Sequence, residues 1–348
     1  MTEAPLGTLA HDMQSGTSTA NLMRAVLVSS EGDPEHLTLG QYPTPEPAAD
    51  ELLVKVHAAA LNRADTFQRK GQYPPPEGAS EILGLDIAGT VEAMGPGCVN
   101  WSEGDSVFGL VPGGGYAEYA VIHKDMAMAI PPGLSMVEAA AIPEVFLTAY
   151  QALHWLGEMQ AKDHVLIHAG ASGVGTAAIQ LVRQARAHPY ITASASKHDV
   201  CRDLGAEVTM DYTSEDFAQR IQDVTAGRGV DIVIDFVGAP YFHKNVASLA
   251  VDGRIIQLAT LGGSTVNEVS LRALMAKRIH LLASTLRSRS RAYKVRLTSE
   301  FAADLLPHFV DGALQPVIDS TFDWAEAAAA HRRMENNDNA GKIVLTMV

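Results

Sequence analysis

Only two cysteines, Cys98 and Cys201, occur in 348 residues, and they lie far apart along the chain. So few exclude a disulfide framework and a four-cysteine zinc lobe. They fit a reduced intracellular compartment. Positive charge is also scarce: 26 Lys and Arg face 40 Asp and Glu, a formal net charge of −14. That balance argues against nucleic acid or an anionic membrane surface as a partner, while leaving room for one local basic pocket. No apolar run approaches the roughly 20 residues of a membrane helix. Residues 1–22 hold no Lys or Arg but carry Glu3 and Asp12, which is wrong for a secretory or transit leader. They read as a disordered extension, and a cytoplasmic location is expected.

What is present is the composition of an ordinary globular protein, 47% hydrophobic and 19% charged. A chain this long exceeds one usual core and predicts two domains. From Met23 to about Pro143, short strand patterns such as "LLVKVHAAAL", "IAGTVEAM", "GDSVFGLV" and "GYAEYAVI" alternate with Pro- and Gly-rich turns. They predict a compact, barrel-like β module. "SMVEAAAIPEVFLTAYQALHWL" then reads as helical. After it, six strand candidates ("HVLIH", "PYITAS", "EVTM", "VDIVIDF", "GRIIQLA", "IHLLAS") alternate with helical segments. That order predicts an α/β doubly wound parallel sheet. The closing helices and the strand "GKIVLTMV" are surplus to six strands and are expected to return to the first module.

"HAGASGVGTAAIQL", His168 to Leu181, supplies the chemistry. Gly173, Gly175 and Ala178 fit the G-x-G-x-x-A dinucleotide fingerprint between a strand and a helix, where free N–H groups favour a pyrophosphate. A merely tight strand-to-helix turn is the plainer alternative. About 20 residues on, an NAD-binding chain would carry an acid for the ribose 2′-OH. Here the segment is "TASASK", with Ser194 and Lys197 and no acid before Asp199. A hydroxyl and an ammonium suit a 2′-phosphate, so NADPH is expected. A catalytic zinc needs three Cys, His or carboxylate ligands. The segments where one is sought read "LNRAD" and "GLDIAG", with Asn62 and Leu85 at the key positions, and the thirteen histidines show no metal spacing. No metal is expected.

"LNRADTFQRKGQYPPPEGAS", "ILGLDIAGTVEAMGPGC", "LVPGGGYAEYA", "AAAIPEVFLTAYQAL", "STLRSR" and "AGKIVL", with the glycine-rich stretch, resemble zinc-free quinone oxidoreductases. These belong to the medium-chain dehydrogenase/reductase superfamily, and the likeness is to the branch of the p53-inducible quinone oxidoreductase. It runs from Met23 to the end. It implies a GroES-like β-rich catalytic domain, formed by residues 23–146 and 287–348, around a Rossmann-type NADPH-binding domain of residues 147–286. It further implies a homodimer and a substrate cleft at Asn62, Asp65 and Tyr73. On the cofactor side it points to Thr148 near the nicotinamide, to Ser172, Gly173, Val174 and Gly175 at the pyrophosphate, and to Ser194, Lys197 and Tyr212 at the 2′-phosphate. Leu286 and Lys342 align with positions that close on the cofactor. Ala193-Ser194 departs from the Gly-Ser of many relatives.

The expected reaction is metal-independent hydride or electron transfer from NADPH to a quinone, with Tyr73 and Asn62 meeting the charge that develops and Asp65 orienting them. An enoyl-thioester or enone reductase is the nearest alternative. A non-catalytic NADPH sensor or RNA-binding protein is the alternative of another class, favoured only by the basic cluster "LRSRSRAYKVR".

Overall fold

Three sheets organise the computed structural model, which describes residues 21–347. The extension expected over residues 1–22 lies outside that range save for its last two residues, and Leu22 already opens the first strand. The first module contains β1 (Leu22–Val28), β2 (Leu37–Pro43), β3 (Glu51–Ala60), α1 (Arg63–Arg69), β4 (Asp86–Met94), β5 (Ser106–Leu110), β6 (Tyr119–His123) and β7 (Ala127–Ala129). Two short helices follow, α2 (Met136–Ala140) and α3 (Pro143–Tyr150).

The second sheet-forming run is β8 (His164–Ile167), α4 (Gly173–Gln184), β9 (His188–Ala193), α5 (His198–Asp203), β10 (Val208–Asp211) and α6 (Phe217–Val224). It continues with β11 (Val230–Asp235), α7 (Phe242–Ser248), β12 (Leu249–Gln257), α8 (Leu271–Lys277) and β13 (His280–Ala283). The chain closes with α9 (Arg291–Val310), β14 (Ile318–Asp323), α10 (Ala327–Glu335) and β15 (Lys342–Thr346).

The six strands β8 to β13 form one parallel sheet in the order β10-β9-β8-β11-β12-β13. Its centre is apolar on both faces, as a parallel strand between two helix layers must be. Val165 and Ile167 of β8 join the large core, while Leu166 between them joins the smaller core on the opposite face. Each contributes on the order of 1.5–3 kcal/mol by leaving water. The strand order reverses between β8 and β11, and a crevice opens at such a reversal beyond the carboxyl ends of the strands.

The last strand returns to the first module. Val344, Leu345 and Thr346 of β15 pair antiparallel with Ala60, Ala59 and Ala58 of β3, and β14 adds beside β15. The last two strands thus share one seven-stranded sheet with β3 to β7, while β1 and β2 form a separate two-stranded sheet. The residue 146/147 boundary falls inside α3, which spans the junction.

Local chemistry corrects two expectations. The helical run over residues 135–156 is broken, because Pro143 lacks an N–H and its ring bars the preceding turn. The helix restarts at that proline as α3 and widens into a π-helix over Gln151–Leu156. The helix expected over "FHKNVASLA" ends at Ser248, and Leu249 and Ala250 pass into β12.

Candidate active site

The carboxyl ends of β8 to β13 face the first module across a cleft of 740 Å³, within the range of ligand sites. Every strand of the parallel sheet sends a residue into its wall: Ser172 after β8, Ser194 after β9, Tyr212 after β10, Phe236 after β11, Leu258 after β12 and Leu286 after β13.

The glycine-rich turn has a specific geometry. Ser172 caps α4, its Oγ accepting the Gly175 N–H at 3.1 Å. A Cβ on Gly175 would lie 2.4 Å from the Ala169 carbonyl oxygen, and one on Gly173 would lie 2.8 Å from Val145 and 2.9 Å from Lys342. Gly175 therefore makes the turn possible but does not line the cleft; Ser172, Gly173 and Val174 do. This leaves the amino end of the 12-residue helix α4 open toward the cavity, a place for an anion.

At the end of β9 the wall holds Ser194 and Lys197, with Tyr212 half-exposed beside them. Lys197 Nζ donates to the carbonyls of Asn337 and Asn339 at 2.6 and 2.7 Å. Two of its three protons are thereby used, and among the described residues no carboxylate forms an ion pair with it. Burial lowers its pKa, so an anionic ligand would restore what the protein withholds. Arg63, at the start of α1, meets the same loop, donating to Asn337 Oδ1 at 2.7 Å. Deeper in, the Thr148 hydroxyl is 92% buried by residue and has no partner. An orphaned buried hydroxyl is costly, and here it faces a cavity that a polar ring would fill. These residues fit NADPH.

The opposite half of the cleft is built from α1, β4, α3 and β15. Lys342 Nζ donates to Leu61 O at 2.7 Å, Asn62 Oδ1 at 2.7 Å and Asp86 Oδ2 at 2.9 Å. Asn62 Nδ2 donates to the same Asp86 oxygen at 2.9 Å and to Ala60 O at 3.4 Å. Asp86 Oδ1 accepts the Glu144 N–H at 2.8 Å. It thereby does for α3 what the flanking Ile142, which has no polar side chain, does not. Tyr73 enters from the loop after α1, its ring 5.3 Å from the Arg287 guanidinium. Arg287 in turn grips Pro112 O at 2.9 Å and Gln68 Oε1 at 2.7 Å, holding that loop to the domain junction. Burial raises the Tyr73 pKa, so the hydroxyl stays a donor at neutral pH.

Two sequence expectations change here. Asp65 does not line the cleft. It is buried behind it, accepting the N–H of Asn62 at 2.7 Å and of Gly84 at 3.1 Å, and burial pushes its carboxyl up to about 6. Asn62 does line the cleft, but both amide protons are committed, so it positions Lys342 and Asp86 and has none to donate to a substrate. Tyr73, Thr148, Leu286 and Lys342 all reach the cleft wall. Sequence reasoning missed Asp86, Glu144 and Arg287. Nothing local marks them; they become site residues only through partners tens to hundreds of positions away.

The basic cluster of residues 286–296 is largely consumed by the fold. Arg289 lies over Tyr293, Arg296 pairs with Glu300 over Trp155, and Lys294 Nζ donates to Arg287 O. Among the described residues no three His, Cys, Asp or Glu side chains converge to hold a metal, and no helix is long and apolar enough to cross a membrane. At the two sequence positions where a zinc ligand would be expected, the cleft wall presents Asn62 and Leu85, neither of them a zinc donor.

A nucleotide-accepting parallel sheet facing a β-rich module across a cleft defines a two-domain oxidoreductase. Two family profiles match the chain: the alcohol dehydrogenase GroES-like domain over residues 48–132 and the zinc-binding dehydrogenase over 204–345. A mycobacterial protein solved in complex with NADPH is 32% identical, with a TM-score of 0.83, covering 93% of this chain and 100% of its own. A mycobacterial quinone oxidoreductase is 31% identical at a TM-score of 0.81, covering 93% and 100%. The CurK enoyl reductase is 27% identical at 0.84, covering 94% and 100%. Among curated relatives, phthioceranic/hydroxyphthioceranic acid synthase of Mycobacterium tuberculosis is 32% identical over 91% of this chain, which spans 15% of that protein's length. The chain belongs to the medium-chain dehydrogenase/reductase superfamily. The zinc of the second profile's description has no donor set among the described cleft residues, and no step below runs through it.

Proposed function

We propose that this protein is an NADPH-dependent quinone oxidoreductase that works without a metal. The observation carrying it is the pairing of Ser194 and Lys197, with no acid, at one end of the cleft, with a donor set of Tyr73 but no metal ligands at the other. When bound, NADPH supplies a hydride. The chain supplies the rest. The α4 amino end and Ser172 hold the pyrophosphate, Lys197 and Ser194 the 2′-phosphate, and the Thr148 hydroxyl the nicotinamide side. Tyr73 offers its hydroxyl to the oxygen on which charge develops. Without a Lewis acid to polarise a plain ketone, the site suits acceptors that are already electron-poor.

The similarity to a quinone oxidoreductase supports this reading, and the similarity to an enoyl reductase and to polyketide synthases supports an enoyl-thioester reductase as the second. NADPH oxidation by the purified protein, measured with a naphthoquinone and with a crotonyl thioester in the presence of a chelator, separates them. If neither acceptor nor a wider quinone panel consumes NADPH, the assignment fails. A homodimer in the cytoplasm completes the proposal. The open edge of β13, with Leu281 54% exposed, supports pairing with a second copy.

A further inference from the structure

Among the described residues, one carboxyl group lines the cleft: that of Glu144. It sits in the first turn of α3, one helical turn before Thr148, so both side chains leave the same face of the helix. Its backbone is fixed by Asp86, yet its carboxyl oxygens take part in no hydrogen bond or ion pair among the described residues. The other polar groups of this half of the cavity are spoken for. Lys342 has given all three protons, Asn62 both amide protons, and Arg287 is spread over Pro112, Gln68 and the Tyr73 backbone. A tyrosine with a raised pKa is a good hydrogen-bond donor but a reluctant acid.

We propose that Glu144 is the proton donor of the reduction, a step that rests on the reductase reading above. The acceptor takes a hydride, and with it two electrons, from NADPH, leaving NADP+. The resulting acceptor anion then takes the proton of the Glu144 carboxyl. The Glu144 O–H bond breaks, its electron pair stays on the carboxylate, and an O–H bond forms on the reduced quinone. Water at the cleft mouth returns the proton. The sum is quinone, NADPH and one proton giving hydroquinone and NADP+.

The setting keeps a large share of this carboxyl protonated near neutrality. Burial pushes it up to about 7, with Asp86 and Asp65 behind it acting in the same direction and Lys342 and Arg287 opposing them. Tyr73 and Lys294 complete the groups that sense its charge. An acid with a pKa close to the working pH is the most effective proton donor.

The test compares wild type, Glu144→Gln and Glu144→Asp with a naphthoquinone, from mild acid to mild alkali. The expected kcat of Glu144→Gln is lower by about 10²-fold near pH 6, with an unchanged KM for NADPH and no fall as pH rises through about 7. Glu144→Asp recovers part of the rate and of the pH limb. In the cofactor-free protein, infrared spectroscopy should show a protonated-carboxyl band titrating near neutrality that Glu144→Gln lacks. A Glu144→Gln protein with wild-type kcat and pH profile overturns the proposal, as does a difference spectrum without that band. Wild type that reduces no acceptor while still showing the band overturns the reductase reading, and this step with it.

Discussion

Lys342 Nζ lies 2.9 Å from Asp86 Oδ2, and neither side chain reaches solvent appreciably, at 4% and 0% exposure. The two residues are 256 positions apart in sequence. Their pairing ties the last strand of the chain to the strand that floors the substrate half of the cleft. Such a pair gains little over a well-packed apolar pair, because two charges have left water. Removing one partner is another matter, since it strands the other charge.

Lys342→Met should therefore lose about 3–5 kcal/mol of unfolding free energy in urea, with Asp86 left buried and facing only neutral donors. The double variant Lys342→Met/Asp86→Leu should recover much of that loss. Additive losses in the double variant would show that the pair is not the unit described.

Lys197 has one ammonium proton left over after its two carbonyl contacts. Replacing it by alanine should weaken NADPH binding by roughly 10- to 100-fold, the worth of one charge-assisted hydrogen bond, while leaving NADH binding nearly unchanged. Nucleotide fluorescence titrations read both. Equal losses for the two nucleotides would place Lys197 in loop anchoring alone.

The contrast between Lys197 and Lys342 shows what the sequence can carry. Lys197 was legible because its meaning is local: it follows a strand, a serine and a missing acid within a few residues. The succession of six strands and intervening helices from β8 to β13 and the turn at Gly173 and Gly175 were legible for the same reason, since hydrophobic period and glycine spacing are short-range signals. The network of Asn62, Asp86, Glu144 and Lys342 was not, because partners 24 to 280 positions apart meet only once β15 has joined β3 and β4 in one sheet and α3 has packed beside it. Asn62 and Asp65 were placed in the right turn, but neither the committed amide protons of Asn62 nor the burial of Asp65 can be read from spacing.

Thr148 offers a test with opposite signs in two measurements. Its hydroxyl is buried without a partner, a cost of about 1–3 kcal/mol while no ligand meets it. Thr148→Val should leave the cofactor-free protein at least as stable as wild type by thermal unfolding, yet weaken NADPH binding by about tenfold. A variant that is less stable and binds normally would make Thr148 a packing residue.

Glu144 predicts a pH dependence of stability that needs no substrate. Its carboxyl is raised from 4.5 to about 7 in the folded chain, so between those values the folded state holds more protons than the unfolded one. Stability from this group is full below about 4.5, declines as pH rises, and is lost once pH passes about 7. Asp65, raised to about 6, adds a slope of the same sign, but it does so in wild type and variant alike and cancels in their difference. Glu144→Gln cannot ionise and should lack its share. Urea unfolding across this window should show wild type falling behind Glu144→Gln by on the order of 1–2 kcal/mol, the figure being reduced by water at the cleft wall. The gap should then stay constant above about pH 8. Parallel stability curves for the two proteins would mean that the carboxyl ionises at its ordinary value, and the proton it is assigned would be absent at neutral pH.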